Sequence, residues 1–456
     1  MRHTTRIGLF AIAAFPLIVA ACGSDDSGNN NGGTPTDGDG GGGGRDGSTS
    51  TGSDGGAQGR GDSGTPVVIP TACNGSVLSA VTDTTTPTAP NSALKVTTGF
   101  TMEVIAHIDS ARELAALPNG DLLVGTNGSS VYIIPNAEAD AAPGKAQKFA
   151  AAPDSNPAGV TYSPTTCTIY LGTNKGVYSA SYKDGDLTGT FAQIGKVRQG
   201  NPTPGSDGDV HQTTSVSVGN GVLYAGVGSG CNACTEVDPT RATIQQFGLD
   251  GSNMQTKAAR IRNAIAMTTN PVTGTIWAGG AGQDSLALGH PYEFFDAVTS
   301  HTGESDYGWP DCEENHHPYG GSSDCMKTVQ PLIEFPAYST LIGASFYPQN
   351  PTGSHAFGDT YKGGIFVAAH GSWHPNGDGT LYSPPRLAFV AMTGDTPKIA
   401  VDWTDPTKQW TPFVNGWQDP NGHDRYGRPT GVAVGSKGSL FVGDDQNGVV
   451  YRIRPM

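Results

Sequence analysis

Along this chain, apolar and polar residues alternate in short bursts, and each burst ends at glycine, asparagine or a Lys-Gly pair. Over residues 428–453 the pattern predicts three strands, at 431–434, 440–443 and 449–453, joined by turns at Lys437-Gly438 and Gln446-Asn447-Gly448. A period of two bounded by turn formers is the signature of antiparallel hairpins. Residues 112–134 repeat the grammar: an arginine, a strand, a turn at Asn119-Gly120, a strand, a turn at Asn127-Gly128 and a third strand.

Further copies lie between these two. Strand pairs are predicted at 158–162 with 167–172, at 211–218 with 222–227, at 262–267 with 275–278, and at 342–347 with 364–368. The result is about six units at intervals of roughly 45 to 90 residues, and radially repeated antiparallel sheets predict an all-β, six-bladed β-propeller. No useful helical periodicity follows residue 66. A pair of packed sheets would not produce copies from end to end. The closest copies are the first and the last, which makes them neighbours around a ring. A fourth strand in each unit is not legible.

Composition agrees with strands and turns: 66 of 456 residues are glycine and 36% are hydrophobic. The net charge of −15 argues against nucleic acid or an anionic membrane face as partner. Arg2 and Arg6 precede an apolar run over 7–21 that ends in small residues, which predicts a secretory signal over 1–21. The run is short for a membrane span. Cys22, placed immediately after the cut, resembles the lipidated cysteine of a bacterial lipobox, which implies an exported, membrane-anchored lipoprotein, periplasmic or at the cell surface. Residues 22–66 hold almost nothing apolar and predict a flexible tether, with the propeller over 67–456.

Six cysteines remain, an even number that in an exported protein predicts disulfides. Cys231 with Cys234 and Cys312 with Cys325 are local pairs, leaving Cys73 with Cys167. A metal site at Cys231-Asn-Ala-Cys234 would want a second such pair or a histidine pair, and neither accompanies it.

In a propeller the innermost strands line a central channel, so residues leading into them converge on one mouth. Those positions are Arg112, 156–158, His211, Arg262-Asn263, 339–342 and Arg428. Charges are seldom buried without partners. Singly, each arginine reads equally well as a blade-to-blade ion pair; as a set they predict an anion-accepting mouth.

At this point the motifs become specific. Residues 228–236 (GSGCNACTE), 260–263 (RIRN), 273–277 (TGTIW), 306–310 (DYGWP), 370–373 (HGSW) and 427–429 (GRP), together with His211, resemble the PQQ-dependent glucose/sorbosone dehydrogenases, in their sorbosone and pyranose dehydrogenase branch. The resemblance spans residues 95–456. It implies pyrroloquinoline quinone (PQQ) and Ca²⁺ as cofactors. The expected substrate is an aldose or pyranose, oxidised at the anomeric hydroxyl to a lactone, or a related sugar aldehyde. Electrons would pass to a separate acceptor, a cytochrome or the quinone pool, since the chain has no CxxCH haem motif. The resemblance makes His211 the general base and sets Arg262 and Asn263 against the quinone oxygens. Arg112 and Arg428 would bind PQQ carboxylates through paired hydrogen bonds, and Trp373 would offer a flat face to cofactor or sugar. Calcium falls to the 283–291 loop, held largely by backbone carbonyls, with Asp284 as the loop's one carboxylate and Glu293, just after it, as a further ligand. That loop departs from the family's Gly-Pro-rich acidic form, and His374-Pro375 replaces a basic residue after HGSW. Two other readings use the same fold. A calcium-dependent lactonase-type hydrolase would place carboxylates and asparagines around an axial metal. A propeller without chemistry would bind a glycan or protein at the cell surface.

Overall fold

The computed structural model describes residues 69–200 and 210–456; Cys22 and the leader lie outside the described residues, as does the tether. Six main sheets, antiparallel except where Ser305–Asp306 joins the edge of the third in parallel, succeed one another along the described chain. Their innermost strands are Ala111–Ala116, Gly159–Ser163, Thr214–Gly219, Ala264–Thr269, Leu341–Phe346 and Pro429–Val434, in blades 1 to 6. All six fall where the repeat placed them. The fourth strands that the sequence hid are present, among them Gln147–Ala151, Ala192–Lys196 and Gln255–Ala259. Their burial is mixed, with Ala192–Lys196 wholly exposed or half-buried, so they carry no clean alternation for the eye to find.

Closure explains why the first and last copies are neighbours. The outermost strand of blade 6 is Phe100–His107, from the N-terminal side of blade 1, and it pairs antiparallel with Val449–Pro455. Lys95–Val96 adds to the edge of blade 5. Backbone hydrogen bonds therefore join the ends of the ring and cover an edge that would otherwise be open.

Apolar layers fill the gaps between blades. Phe100 packs against Phe357 and Phe413, with ring centroids 4.5 and 5.0 Å apart; Trp277 of blade 4 meets Phe346 of blade 5 edge-on at 6.1 Å. All three expected disulfides form: Cys73–Cys167, Cys231–Cys234 and Cys312–Cys325. The first ties the segment before the ring to blade 2 across 94 residues. A C73S/C167S variant should lose about 2–5 kcal/mol, read as a lower midpoint in thermal or denaturant melts.

A register slip near the start of several inner strands sets up the mouth. In blade 1, Ala111 pairs with Thr126 and the next pair is Leu114 with Val124, so Arg112 and Glu113 face the single residue Gly125. Such bulges re-aim side chains. Blades 4, 5 and 6 slip in the same place. A Cβ on Gly431 of blade 6 would lie 2.2 Å from the Arg112 carbonyl oxygen, so close approach of these two strands requires glycine there.

Candidate active site

One mouth of the ring holds a cavity of about 740 Å³, whose wall includes Arg112, His211, Arg262, Asn263, Trp373 and Arg428. Asp284 and Glu293 lie on the same wall. The six blades thus bring together residues spread over more than 300 positions of sequence.

His211 leads into the inner strand of blade 3. Its Nδ1 lies 3.1 Å from the Ser229 carbonyl oxygen and 2.9 Å from Ser229 Oγ. A carbonyl only accepts, and Ser229 Oγ donates to the Cys231 carbonyl at 2.7 Å. Nδ1 therefore carries a proton. Buried Arg198 fixes the backbone beneath, donating Nη2 to the His211 and Thr213 carbonyls at 2.9 and 2.6 Å. Gly228 packs between His211 and Asn263: a Cβ there would meet His211 Cβ at 2.5 Å and Asn263 Oδ1 at 2.6 Å. That Asn263 oxygen is buried and has no donor among the described residues.

The arginines are not bare charges. Arg112 Nη1 bonds Asp445 Oδ2 at 2.9 Å, while Asp445 Oδ1 accepts from His370 Nε2, also at 2.9 Å. Burial pulls the His370 imidazole down to about 4, so it is neutral and donates. Burial alone would raise the Asp445 carboxyl, but hydrogen bonds from His370 and Arg112 hold it well below the usual carboxylate range. Arg428 donates Nε to the His370 carbonyl at 3.1 Å and Nη2 to that of Gly371 at 2.8 Å. Its guanidinium carbon stands 5.5 Å from the centre of the Trp373 ring, a cation–π geometry. Trp373 itself is 70% exposed at the rim. Beneath it, Arg425 Nη2 donates to the Ser372 carbonyl at 2.6 Å, which puts a cation beside HGSW from a distant stretch of chain.

Arg262 makes the densest contacts. Nη2 bonds Asp284 Oδ2 at 2.8 Å and Asn232 Oδ1 at 2.9 Å, and Nε donates to the Asn232 carbonyl at 3.1 Å. Nη1 has no protein partner among the described residues. In the 283–291 loop, where calcium was expected, the Asp284 carboxylate binds the Arg262 guanidinium, whose charge repels a metal cation. Glu293 is buried, and burial holds its carboxyl well above the usual range despite nearby Arg262. The CxxC pair groups with Glu236 in space, but both cysteines are oxidised.

Three positioning groups escaped the sequence reading. Asp445 follows the strand Leu440–Asp444 and reads as a turn aspartate. Asn232 sits inside a cysteine pair that drew attention to itself. Glu113 is hidden next to Arg112: its Oε1 accepts from Ser215 Oγ at 3.2 Å, reaching from blade 1 to blade 3. Burial pushes the Glu113 carboxyl up to about 8, against the pull of Arg112 and Ser215. Between pH 4.5 and 8 the native state then keeps a proton that the unfolded chain has lost, so this group's contribution to stability falls as pH rises. The slope approaches about 1.4 kcal/mol per pH unit. Denaturant melts from pH 5 to 8.5 should show E113Q gaining on the wild type as pH increases.

No protein-family model and no curated protein sequence matches the chain. Among solved structures, the holo form of the pyranose dehydrogenase PQQ domain from Coprinopsis cinerea is 18% identical with a TM-score of 0.61, over 80% of this chain and 98% of that one. The calcium structure of a family AA12 carbohydrate-active enzyme from Trichoderma reesei is 17% identical with a TM-score of 0.62, over 83% and 98%. The apo form of the soluble aldose sugar dehydrogenase from Escherichia coli is 15% identical with a TM-score of 0.52, over 78% and 100%. The resemblance read from the motifs therefore holds at the level of the fold, which this chain shares with a pyranose dehydrogenase PQQ domain and an aldose sugar dehydrogenase across nearly the full length of each.

Proposed function

We propose that this protein is a PQQ-dependent dehydrogenase that oxidises the anomeric hydroxyl of an aldose or pyranose to a lactone. The observation that carries the reading is the convergence of Arg112, Arg262 and Arg428, from blades 1, 4 and 6, on one cavity with His211 in its wall. Its volume of about 740 Å³ suits a small organic ligand. PQQ has three carboxylates and an ortho-quinone. Among the described residues, Arg112 Nε is buried without a partner, and Arg262 Nη1 has none either. Guanidinium groups fit carboxylate oxygens well.

Bound there, PQQ would supply the two-electron acceptor, a chemistry that belongs to the cofactor. The chain's own residues bind, orient and move the proton. Arg112 and Arg428 would hold carboxylates. His211, with Nδ1–H donated to Ser229, takes the anomeric hydroxyl proton on Nε2; an imidazole suits this near neutral pH. Arg262 supplies a fixed donor where negative charge develops on an oxygen, and Trp373 gives a sugar ring an apolar face. Asp284 is already paired with Arg262, and no step runs through a calcium ion. A lipid anchor at Cys22 and a separate electron acceptor complete the reading, on the support of the leader sequence and the lack of a CxxCH motif.

A lactonase would need acidic and amide groups gathered on an axial metal, whereas Asp445 and Asp284 are paired here with Arg112 and Arg262. The test is a PQQ titration of purified protein followed by absorbance, with dye reduction across a panel of aldoses. Spectral saturation together with sugar-dependent dye reduction is expected; no change in PQQ absorbance overturns the proposal.

A further inference from the structure

The loop between the second and third strands of blade 3 carries Cys231–Cys234, and the proposed chemistry makes no use of that disulfide. The residue next to Cys231 inside this small ring is a hub. The Asn232 carbonyl accepts from Arg262 Nε and from Trp309 Nε1, each at 3.1 Å. Its Oδ1 accepts from Arg262 Nη2 at 2.9 Å and from the Asp284 backbone N–H at 2.7 Å. Its Nδ2 donates to the Asp284 carbonyl at 3.0 Å. Asp284 in turn reaches Arg262 with its carboxylate at 2.8 Å. One asparagine therefore fixes both the cavity arginine and the carboxylate paired with it.

The disulfide restricts what Asn232 can do. The two cysteines are three positions apart, and the sulfur bridge closes the loop around the asparagine. Cys231 is buried against Trp309 and Ala242, whereas Cys234 lines an open cleft of about 260 Å³, so a small thiol can approach one end of the bridge. The other two disulfides each include a cysteine with no exposed surface, Cys73 and Cys312.

We propose that Asn232 is the positioning residue for Arg262 and that the Cys231–Cys234 disulfide is the staple that keeps it in place, making the cavity thiol-sensitive. Opening the staple takes two electrons and two protons from an external dithiol, which becomes a disulfide as Cys231 and Cys234 become thiols. Asn232 then loses its restraint, and Arg262 with Asp284 leaves its fixed place on the cavity wall. The activity readout rests on the PQQ reading; the geometric readout does not.

The experiment compares wild type, N232A, N232D, C231S/C234S and the combined N232A/C231S/C234S protein, with mildly reduced wild type as a sixth sample. Thiol trapping with mass spectrometry shows which pair has opened. In cofactor-free protein, hydrogen exchange of the Asp284 amide should speed up in N232A, in C231S/C234S and after reduction. With PQQ added, kcat/KM for an active aldose should fall about 10- to 100-fold in each, the size expected when a hydrogen bond to a charged group is lost. The combined variant should be no worse than N232A alone, because the staple acts through Asn232. N232D, which keeps Oδ1 as acceptor, should recover part of the loss. Additive losses, or an unchanged Asp284 amide in both C231S/C234S and reduced wild type, overturn the proposal. Failure of wild type to bind PQQ would remove the functional reading, while amide exchange would still decide the staple.

Discussion

Replacing His211 with asparagine should lower kcat by about 10²- to 10⁴-fold, the usual contribution of a positioned general base, with PQQ affinity nearly unchanged. Asparagine can still donate an N–H towards Ser229, which His211 Nδ1 meets at 2.9 and 3.1 Å, so the loop should hold its shape. What disappears is the lone pair on Nε2. Stopped-flow reduction of the loaded protein by sugar isolates this step from reoxidation by the dye. A variant that keeps wild-type kcat would remove His211 from the proton transfer. Loss of PQQ affinity in place of rate would make it a binding residue instead.

Replacing Asp445 with asparagine should be the most destabilising single change at the mouth, costing about 3–5 kcal/mol as expected for breaking a buried ion pair from one side. The carboxylate joins two buried groups, Arg112 at 2.9 Å and His370 at 2.9 Å. An amide can accept from only one of them and presents an N–H to the other. Cofactor affinity should fall too, since Arg112 loses the partner that aims it. The pH dependence has a definite sign. Asp445 is held below its ordinary range, and His370 is held down to about 4. In both cases the unfolded chain binds the proton first, so stability present near neutrality is lost as pH falls. For His370 the loss runs from its ordinary value of about 6.5 down to about 4; for Asp445 it lies below the ordinary aspartate range. Glu113 acts in the opposite sense between 4.5 and 8. Wild type should therefore be most stable in mildly acidic to neutral buffer. Urea melts of D445N should lose only the part of the acid sensitivity that lies below the ordinary aspartate range; the His370 part remains, because burial lowers that imidazole and Asp445 raises it.

The sequence determined the architecture of this protein. Strand period, turn residues and repetition specified six blades and the ends of their inner strands, because a half-buried strand must alternate and a tight turn must use glycine or asparagine. Repetition also made Arg112, His211, Arg262 and Arg428 equivalent, which is why they could be expected at one mouth before any coordinates. The disulfide pairs followed from even number and spacing.

Tertiary structure decided the partners. Phe100–His107 closes blade 6 from the far end of the domain, a pairing that no local pattern encodes. The bulge at Arg112 and Glu113 sends one residue to the mouth and the other into the axis, and only register against Gly125 reveals it. Asp445, Asn232 and Asp284 are ordinary loop residues in sequence; each gains its role from an arginine tens to hundreds of positions away. Electrostatic function depends on distances of about 3 Å, and those are set by how blades pack, not by what any one blade contains. The cationic ring inferred from the repeat is thus present as a set of arginines, but its charge is moderated by carboxylates that the fold alone brings to it.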